Sequence, residues 1–304
     1  MTKTAFLFAG QGAQKLGMVR DLYDNYPIVK ETFDTASRVL GYDLRDLIDH
    51  DEEKLNQTKY TQPAILTTSV AIYRLLAAKG YKPDMVAGLS LGEYSALVAS
   101  GALAFEDAVA LVVKRGELME NAAPAGSGKM VAVLTTNRDV INEACQKASH
   151  KGIVSPANFN TPGQVVIGGE VDAVNAAVEL LKEAGVKRLV PLKVSGPFHT
   201  ALLAPASQAL AEVLDKISFK EFSCPLIGNT EADVMALSDV KSLLARQVME
   251  PVRFDDSIEK MKELGMTDVI EIGPGKVLSG FIEKIDKTIP VLSVETKADF
   301  EALN

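Results

Sequence analysis

The chain has 304 residues, with 47% apolar and 24% charged side chains, enough to fill the core of one large domain or two smaller ones. A net charge of −8 argues against general nucleic-acid binding. No apolar stretch reaches the length of a membrane span, and the run at residues 5–9 is too short for a signal peptide, so a reduced cytoplasm is the expected setting. Cys145 and Cys224 have neither metal-ligand nor redox spacing and read as buried thiols.

Residues 4–9 read as a buried strand, ended by Gly10-Gln11-Gly12. Residues 21–40 read as helical with a break at Pro27, and a helix is expected from Thr61 to Lys79, with Pro63 in its first turn and Gly80 as its stop. The apolar run Met85-Val86-Ala87 then enters Gly88-Leu89-Ser90-Leu91-Gly92 and leaves as an apolar helix, and a further helix covers residues 105–119. Alternating strands and helices predict a mostly parallel sheet with helical crossovers.

Residues 121–128 have the composition of a linker, and the period changes after them. Strands at 129–134, 152–158, 164–168 and 187–191 and helices at 138–149 and 171–184 give the order βαββαβ, a ferredoxin-like arrangement. The expected organisation is therefore α/β. A hydrolase-like large domain spans 1–125 and 196–304, and a small ferredoxin-like domain spans 126–195, with the large domain resuming at Ser195. Beyond it the sequence predicts helices at 201–217, 238–247 and 255–264, a short strand at 226–228 and a buried strand at 268–272 closed by Gly273-Pro274-Gly275.

Strand, Gly-x-Ser-x-Gly turn and helix form a nucleophile elbow in the context it needs. The serine must sit on a sharp turn, and glycines two before and two after let strand and helix pass closely. The following helix aims its N-terminal amides where an oxyanion would form. Ser90 is thus the candidate nucleophile, and it needs a base. Three histidines are available. His50 lies in a charge run and His150 at a small-domain helix end, so both read as surface residues. His199 follows the return from the inserted domain, where a cleft is expected, and is the candidate base. No aspartate between Ser90 and His199 falls at the end of a large-domain strand, which weighs against a Ser-His-Asp triad.

Gly10-Gln11-Gly12 is not a dinucleotide fingerprint, because Lys15 stands where a third glycine is needed. It is either a plain turn or a second oxyanion donor at Gln11, with Leu91 the first. Arg115 lies on a mostly apolar helical face, where it is either a structural ion-paired residue or a fixed charge that receives an anion.

Taken in order, Phe8 to Gly12, Thr61-Gln62-Pro63-Ala64, Gly88 to Tyr94, Arg115, Asn158 to Pro162, Gly196-Pro197-Phe198-His199, Gln247 and Glu271 to Gly275 resemble the malonyl-CoA:acyl carrier protein transacylases across essentially the whole chain. The resemblance implies that Ser90 carries the acyl group as an ester and that His199 is the base, steadied by a main-chain carbonyl near Gln247. It also implies an oxyanion hole from the backbone amides of Gln11 and Leu91, and pairing of Arg115 with the malonyl carboxylate. Phe198 looks like the malonyl-selective form. Leu89 departs from the family, many members of which have histidine there.

The resemblance further implies ping-pong transfer of malonyl from malonyl-CoA to a carrier-protein thiol in fatty acid biosynthesis. The enzyme would need no metal or redox cofactor and would act as a monomer. Carrier proteins in such systems are acidic, so a local basic patch is expected, suggested at Lys187 and Arg188 with Lys284 and Lys287 flanking the cleft. The alternatives are a serine hydrolase such as a thioesterase, or a docking module without catalysis.

Overall fold

The computed structural model describes residues 1–193 and 196–304. Its first sheet contains β1 (Thr4–Phe8), β2 (Met85–Gly88), β8 (Asp268–Ile272) and β9 (Val291–Val294), in the order β2-β1-β8-β9. Every pairing in it is parallel. The sequence of β1 explains its central place. Ala5 to Phe8 are fully buried, as a strand covered on both faces requires. Their alternation divides the large core. Phe6 and Phe8 join one apolar cluster, with the helices Pro27–Leu40, Thr58–Ala78 and Phe105–Ala122, while Ala5 and Leu7 join another, with Phe254, Ile258 and Ile282.

The second sheet contains β3 (Gly128–Leu134), β4 (Val154–Thr161), β5 (Gln164–Glu170), β6 (Arg188–Pro191) and β7 (Val252–Arg253), in the order β6-β3-β5-β4-β7. The chain order β3, helix Arg138–Ala148, β4, β5, helix Val171–Glu183, β6 is the expected βαββαβ. Val131, Val133, Val165 and Ile167 face the two helices, and Met130, Ala132 and Val166 point to the other face. That second face meets the segment that carries Thr200, because a Cβ on Gly168 would touch the Thr200 methyl at 3.3 Å. The expected return to the large domain at Ser195 falls outside the described residues.

Several elements differ from expectation. The helix expected to open at Thr61 starts at Thr58, so Pro63 lies inside it rather than in its first turn. The Thr61 hydroxyl donates to the Gln57 carbonyl at 2.9 Å and tightens the added turn. Leu44–His50 and Glu52–Leu55 are short helices, capped by the side chains of Asp43 and Asp51, where the sequence read only a charge run. Val277–Ile285 and β9 were not foreseen, and neither was β7, a two-residue strand from the later part of the chain that pairs with β4.

Candidate active site

The elbow forms at the C-terminal end of β2, where three glycines permit close approach. A Cβ on Gly88 would lie 1.9 Å from the Gly92 carbonyl carbon, one on Gly92 would lie 2.1 Å from the Phe8 oxygen, and one on Gly10 would lie 2.2 Å from the Leu89 oxygen. The last contact sets the Gly10-Gln11-Gly12 turn directly against the elbow. Ser90 has φ +54°, a left-handed conformation that costs a non-glycine residue energy and persists only where its surroundings impose it. Leu91 then caps the helix Gly92–Ala99, which brings its amide to the helix N-terminus beside the serine.

His199 sits on the far side of Ser90, also at positive φ, +62°. Its Nε2 lies 2.8 Å from Ser90 Oγ, and its Nδ1 lies 2.7 Å from the Gln247 carbonyl oxygen. A carbonyl can only accept, so Nδ1 carries the proton and the Nε2 lone pair faces the serine hydroxyl. The position held by aspartate in a common triad is taken by a main-chain oxygen. Burial, with the nearby charge of Arg115, lowers the imidazole to about 4, so His199 is neutral at physiological pH.

Arg115 is 1% exposed and reaches the site from the helix Phe105–Ala122. Its Nη1 donates to Gln62 Oε1 at 3.0 Å, and its Nη2 donates to Gln247 Oε1 at 2.9 Å and to Ser90 Oγ at 3.4 Å. Its guanidinium carbon lies 5.2 Å from the centre of the Tyr94 ring. Burial holds the guanidinium below its ordinary value, opposed by Tyr94 and Glu93. A cation is thus fixed beside the reactive hydroxyl, with neutral amide oxygens on both of its terminal nitrogens.

Among the other candidates, Phe198 is buried in the large apolar cluster next to the base, and Gln247 is fully buried. Gln11 donates from Nε2 to Thr58 Oγ1 at 3.0 Å, so its side chain is turned to the helix Thr58–Ala78. His50 and His150 are exposed, beside Asp46 and the Lys147 carbonyl. Cys145 is pushed up to about 12 by burial and is inert.

The suggested basic patch needs correction. Lys187 and Arg188 are exposed at the β6 edge, and Arg188 pairs with Leu134 on the face away from the small-domain helices. Lys284 and Lys287 do not flank the cleft. Lys284 lies in the last turn of the helix Val277–Ile285, which runs back from the C-terminal end of β8 toward the start of the parallel strand β9, and Lys287 lies just beyond it, so both are at the end of the sheet opposite Ser90. The Lys262–Asp286 ion pair, 2.9 Å, ties that end to the turn feeding β8.

Sequence reasoning missed three members of the site. Gln62 was seen only as part of a motif, yet it holds Arg115. Asn229 accepts from the Ser90 amide through Oδ1 at 2.8 Å and donates to the Gly88 carbonyl at 2.6 Å. Glu93 is 1% exposed and accepts from the Asn229 amide at 2.8 Å; burial raises its carboxyl to about 7. A polar Asn229-Thr230 directly after the short strand expected at 226–228 was the available signal, since strand ends in open α/β sheets carry sites.

A serine on a strained elbow, a neutral histidine at hydrogen-bond distance and a helix N-terminus behind them are the parts that acyl transfer through a serine requires. Residues 5–296 match the family model described as acyl transferase domain. The malonyl CoA-acyl carrier protein transacylase of Bacillus subtilis (strain 168) is 47% identical over 304 residues, covering 99% of this chain and 96% of that protein. The crystal structure of MCAT from Streptococcus pneumoniae is 71% identical, with TM-score 0.97, and covers 99% of this chain and 100% of that one. A malonyl-transacylase solved in complex with its type II PKS acyl-carrier protein is 44% identical, with TM-score 0.96, and covers 99% and 98%. The chain belongs to the malonyl CoA-acyl carrier protein transacylase family.

Proposed function

We propose that the protein transfers malonyl from malonyl-CoA to the thiol of an acyl carrier protein through a malonyl ester of Ser90, supplying fatty acid biosynthesis. The observation that carries this reading is the buried Arg115 guanidinium, 3.4 Å from Ser90 Oγ and hydrogen-bonded through its terminal nitrogens, among the described residues, to neutral oxygens. Such a cation matches an acyl group that ends in a carboxylate.

His199 Nε2 takes the Ser90 proton as Oγ attacks the thioester carbonyl. The tetrahedral oxyanion is received by the backbone amides of Leu91 and Gln11. The imidazolium then protonates the departing CoA sulfur, leaving malonyl on Ser90. In the second half the carrier thiol gives its proton to His199, attacks the ester, and Ser90 recovers the proton. The positive Arg115 disfavours imidazolium before substrate arrives. A malonyl carboxylate paired to Arg115 removes that opposition, so the correct acyl group also strengthens the base. Phe198, buried directly before His199, is the residue we assign to excluding branched acyl groups. This chemistry draws on no metal or redox cofactor.

We infer a two-domain division at 1–125 with 196–304 and 126–195, which the separate apolar cluster drawn from residues 131–189 supports. Carrier-protein docking is inferred at Lys187 and Arg188 on the exposed β6 edge, where two cations suit an acidic partner. A monomer in the cytoplasm is the inferred setting; both cysteines are unpaired, as a reducing compartment favours. Malonyl-labelled CoA incubated with enzyme and carrier protein should deliver label to the carrier thiol. Release mainly as free malonate, at the same rate with or without carrier, would make the protein a hydrolase.

A further inference from the structure

Behind the elbow lies a buried polar cluster that the proposed reaction does not itself use. Asn229 is fully buried and arrives there because residues 225–227 run alongside β2: Ile227 N donates to the Val86 oxygen at 3.0 Å, and Val86 N to the Pro225 oxygen at 2.9 Å. Its Oδ1 accepts from the Ser90 amide at 2.8 Å and from Gln247 Nε2 at 3.1 Å. Its Nδ2 donates to the Gly88 carbonyl, 2.6 Å, and its own amide is held by Glu93 Oε2, 2.8 Å. Gln247 Nε2 donates also to the Ser90 carbonyl at 3.0 Å, while the Gln247 main-chain oxygen takes the His199 Nδ1 proton.

Asn229 therefore grips the elbow on both sides of Leu89 and, through Gln247, the residue that orients the base. We propose that Asn229, held by Glu93, is a positioning residue that fixes the left-handed backbone of Ser90 and keeps the nucleophile and His199 in register. The proposal rests on Ser90 and His199 acting as nucleophile and base. The physical need is specific. Ser90 is strained at φ +54°, and nothing within the turn itself accepts its amide. Relaxation of that residue would swing Oγ away from Nε2. The same hydrogen bond occupies the Ser90 amide, so the elbow's donor for an oxyanion is Leu91 and not the nucleophile itself.

The test compares wild type, Asn229→Ala and the isosteric Asn229→Asp. The rate of Ser90 labelling by diisopropyl fluorophosphate reads the activated hydroxyl without regard to acyl group. Acylation rates from malonyl-CoA and acetyl-CoA are measured beside it. Asn229→Ala should label about 10- to 100-fold more slowly, the scale of a small misplacement of reacting groups. Malonyl and acetyl acylation should fall by that same factor, with KM for malonyl-CoA little changed. Asn229→Asp keeps the acceptor for Ser90 and Gln247 but sets oxygen against the Gly88 carbonyl, and should fall between. Labelling of both folded variants at the wild-type rate would overturn the proposal. So would a loss that only tracks the unfolded fraction, or one confined to malonyl. If wild type is labelled but takes no malonyl from malonyl-CoA, the transfer reading fails while the labelling comparison still decides the role of Asn229.

Discussion

Replacing Arg115 should convert a malonyl-selective enzyme into one that no longer discriminates. The guanidinium is 1% exposed, and Gln62 and Gln247 aim it at the space beside Ser90 Oγ. A malonyl carboxylate entering that space leaves water and recovers the loss through charge-assisted hydrogen bonds to Arg115. In Arg115→Ala the carboxylate would be buried unpaired, at a cost of about 3–5 kcal/mol. At 1.36 kcal/mol per decade, that is roughly two to four decades in kcat/KM for malonyl-CoA. Acetyl-CoA has no carboxylate and escapes this loss. It would feel only the lost 3.4 Å contact to Ser90 Oγ and the loosening of Gln62 and Gln247, the latter keeping the Ser90 carbonyl and Asn229. Arg115→Lys should recover part of the malonyl rate, because a point charge lacks the planar fork. The assay is carrier acylation with each CoA ester, alongside a thermal melt. An equal fall for both acyl groups, together with a lowered Tm, would make Arg115 a structural residue and remove the physical basis of malonyl selection.

Buried Glu93 and His199 should give opposed pH dependences of stability. Glu93 titrates near 7 in the fold against 4.5 ordinarily, so its contribution is present below 4.5 and lost as pH rises to about 7. His199 titrates near 4 against 6.5, so its contribution is present above 6.5 and lost as pH falls to about 4. Each amounts to about 3 kcal/mol, and they largely cancel between pH 4.5 and 6.5. Glu93→Gln should uncover the histidine, adding a loss of about 1.4 kcal/mol per pH unit below 6.5 in denaturant titrations; an unchanged slope would refute the assignment. His199→Ala should lower turnover by about 10²–10⁴-fold, and combining it with Ser90→Ala should be little worse than the poorer single variant. Additive losses would show that the two residues act separately. Charge reversal at Lys187 and Arg188 should raise KM for carrier protein by roughly tenfold, the scale of two exposed ion pairs, and spare KM for malonyl-CoA. Equal changes in both constants would place docking elsewhere, and reversal at Lys284 and Lys287 should change neither.

What the sequence disclosed followed local rules. The elbow could be read because glycine spacing, strand and helix lie within a few residues of Ser90, and the small sheet because its apolar period alternates over each strand. Arg115 could not be settled, since its role depends on Gln62 and Gln247, 53 and 132 residues away in the chain. Asn229 escaped for the same reason, with a partner 139 residues off. The placement of Lys284 and Lys287 was misjudged because their end of the sheet follows from the direction of a crossover helix that was not foreseen. The strand β7 has two residues and no periodicity to detect.

Covalent capture on Ser90 tests the central claim most directly. Intact protein mixed with malonyl-CoA in the absence of carrier should gain the mass of one malonyl group, located by peptide mapping at Ser90. The adduct should be absent from Ser90→Ala and should disappear when carrier protein is added, with the malonyl group recovered on the carrier thiol. No adduct on wild type, or one that persists in a folded Ser90→Ala protein, would contradict the account.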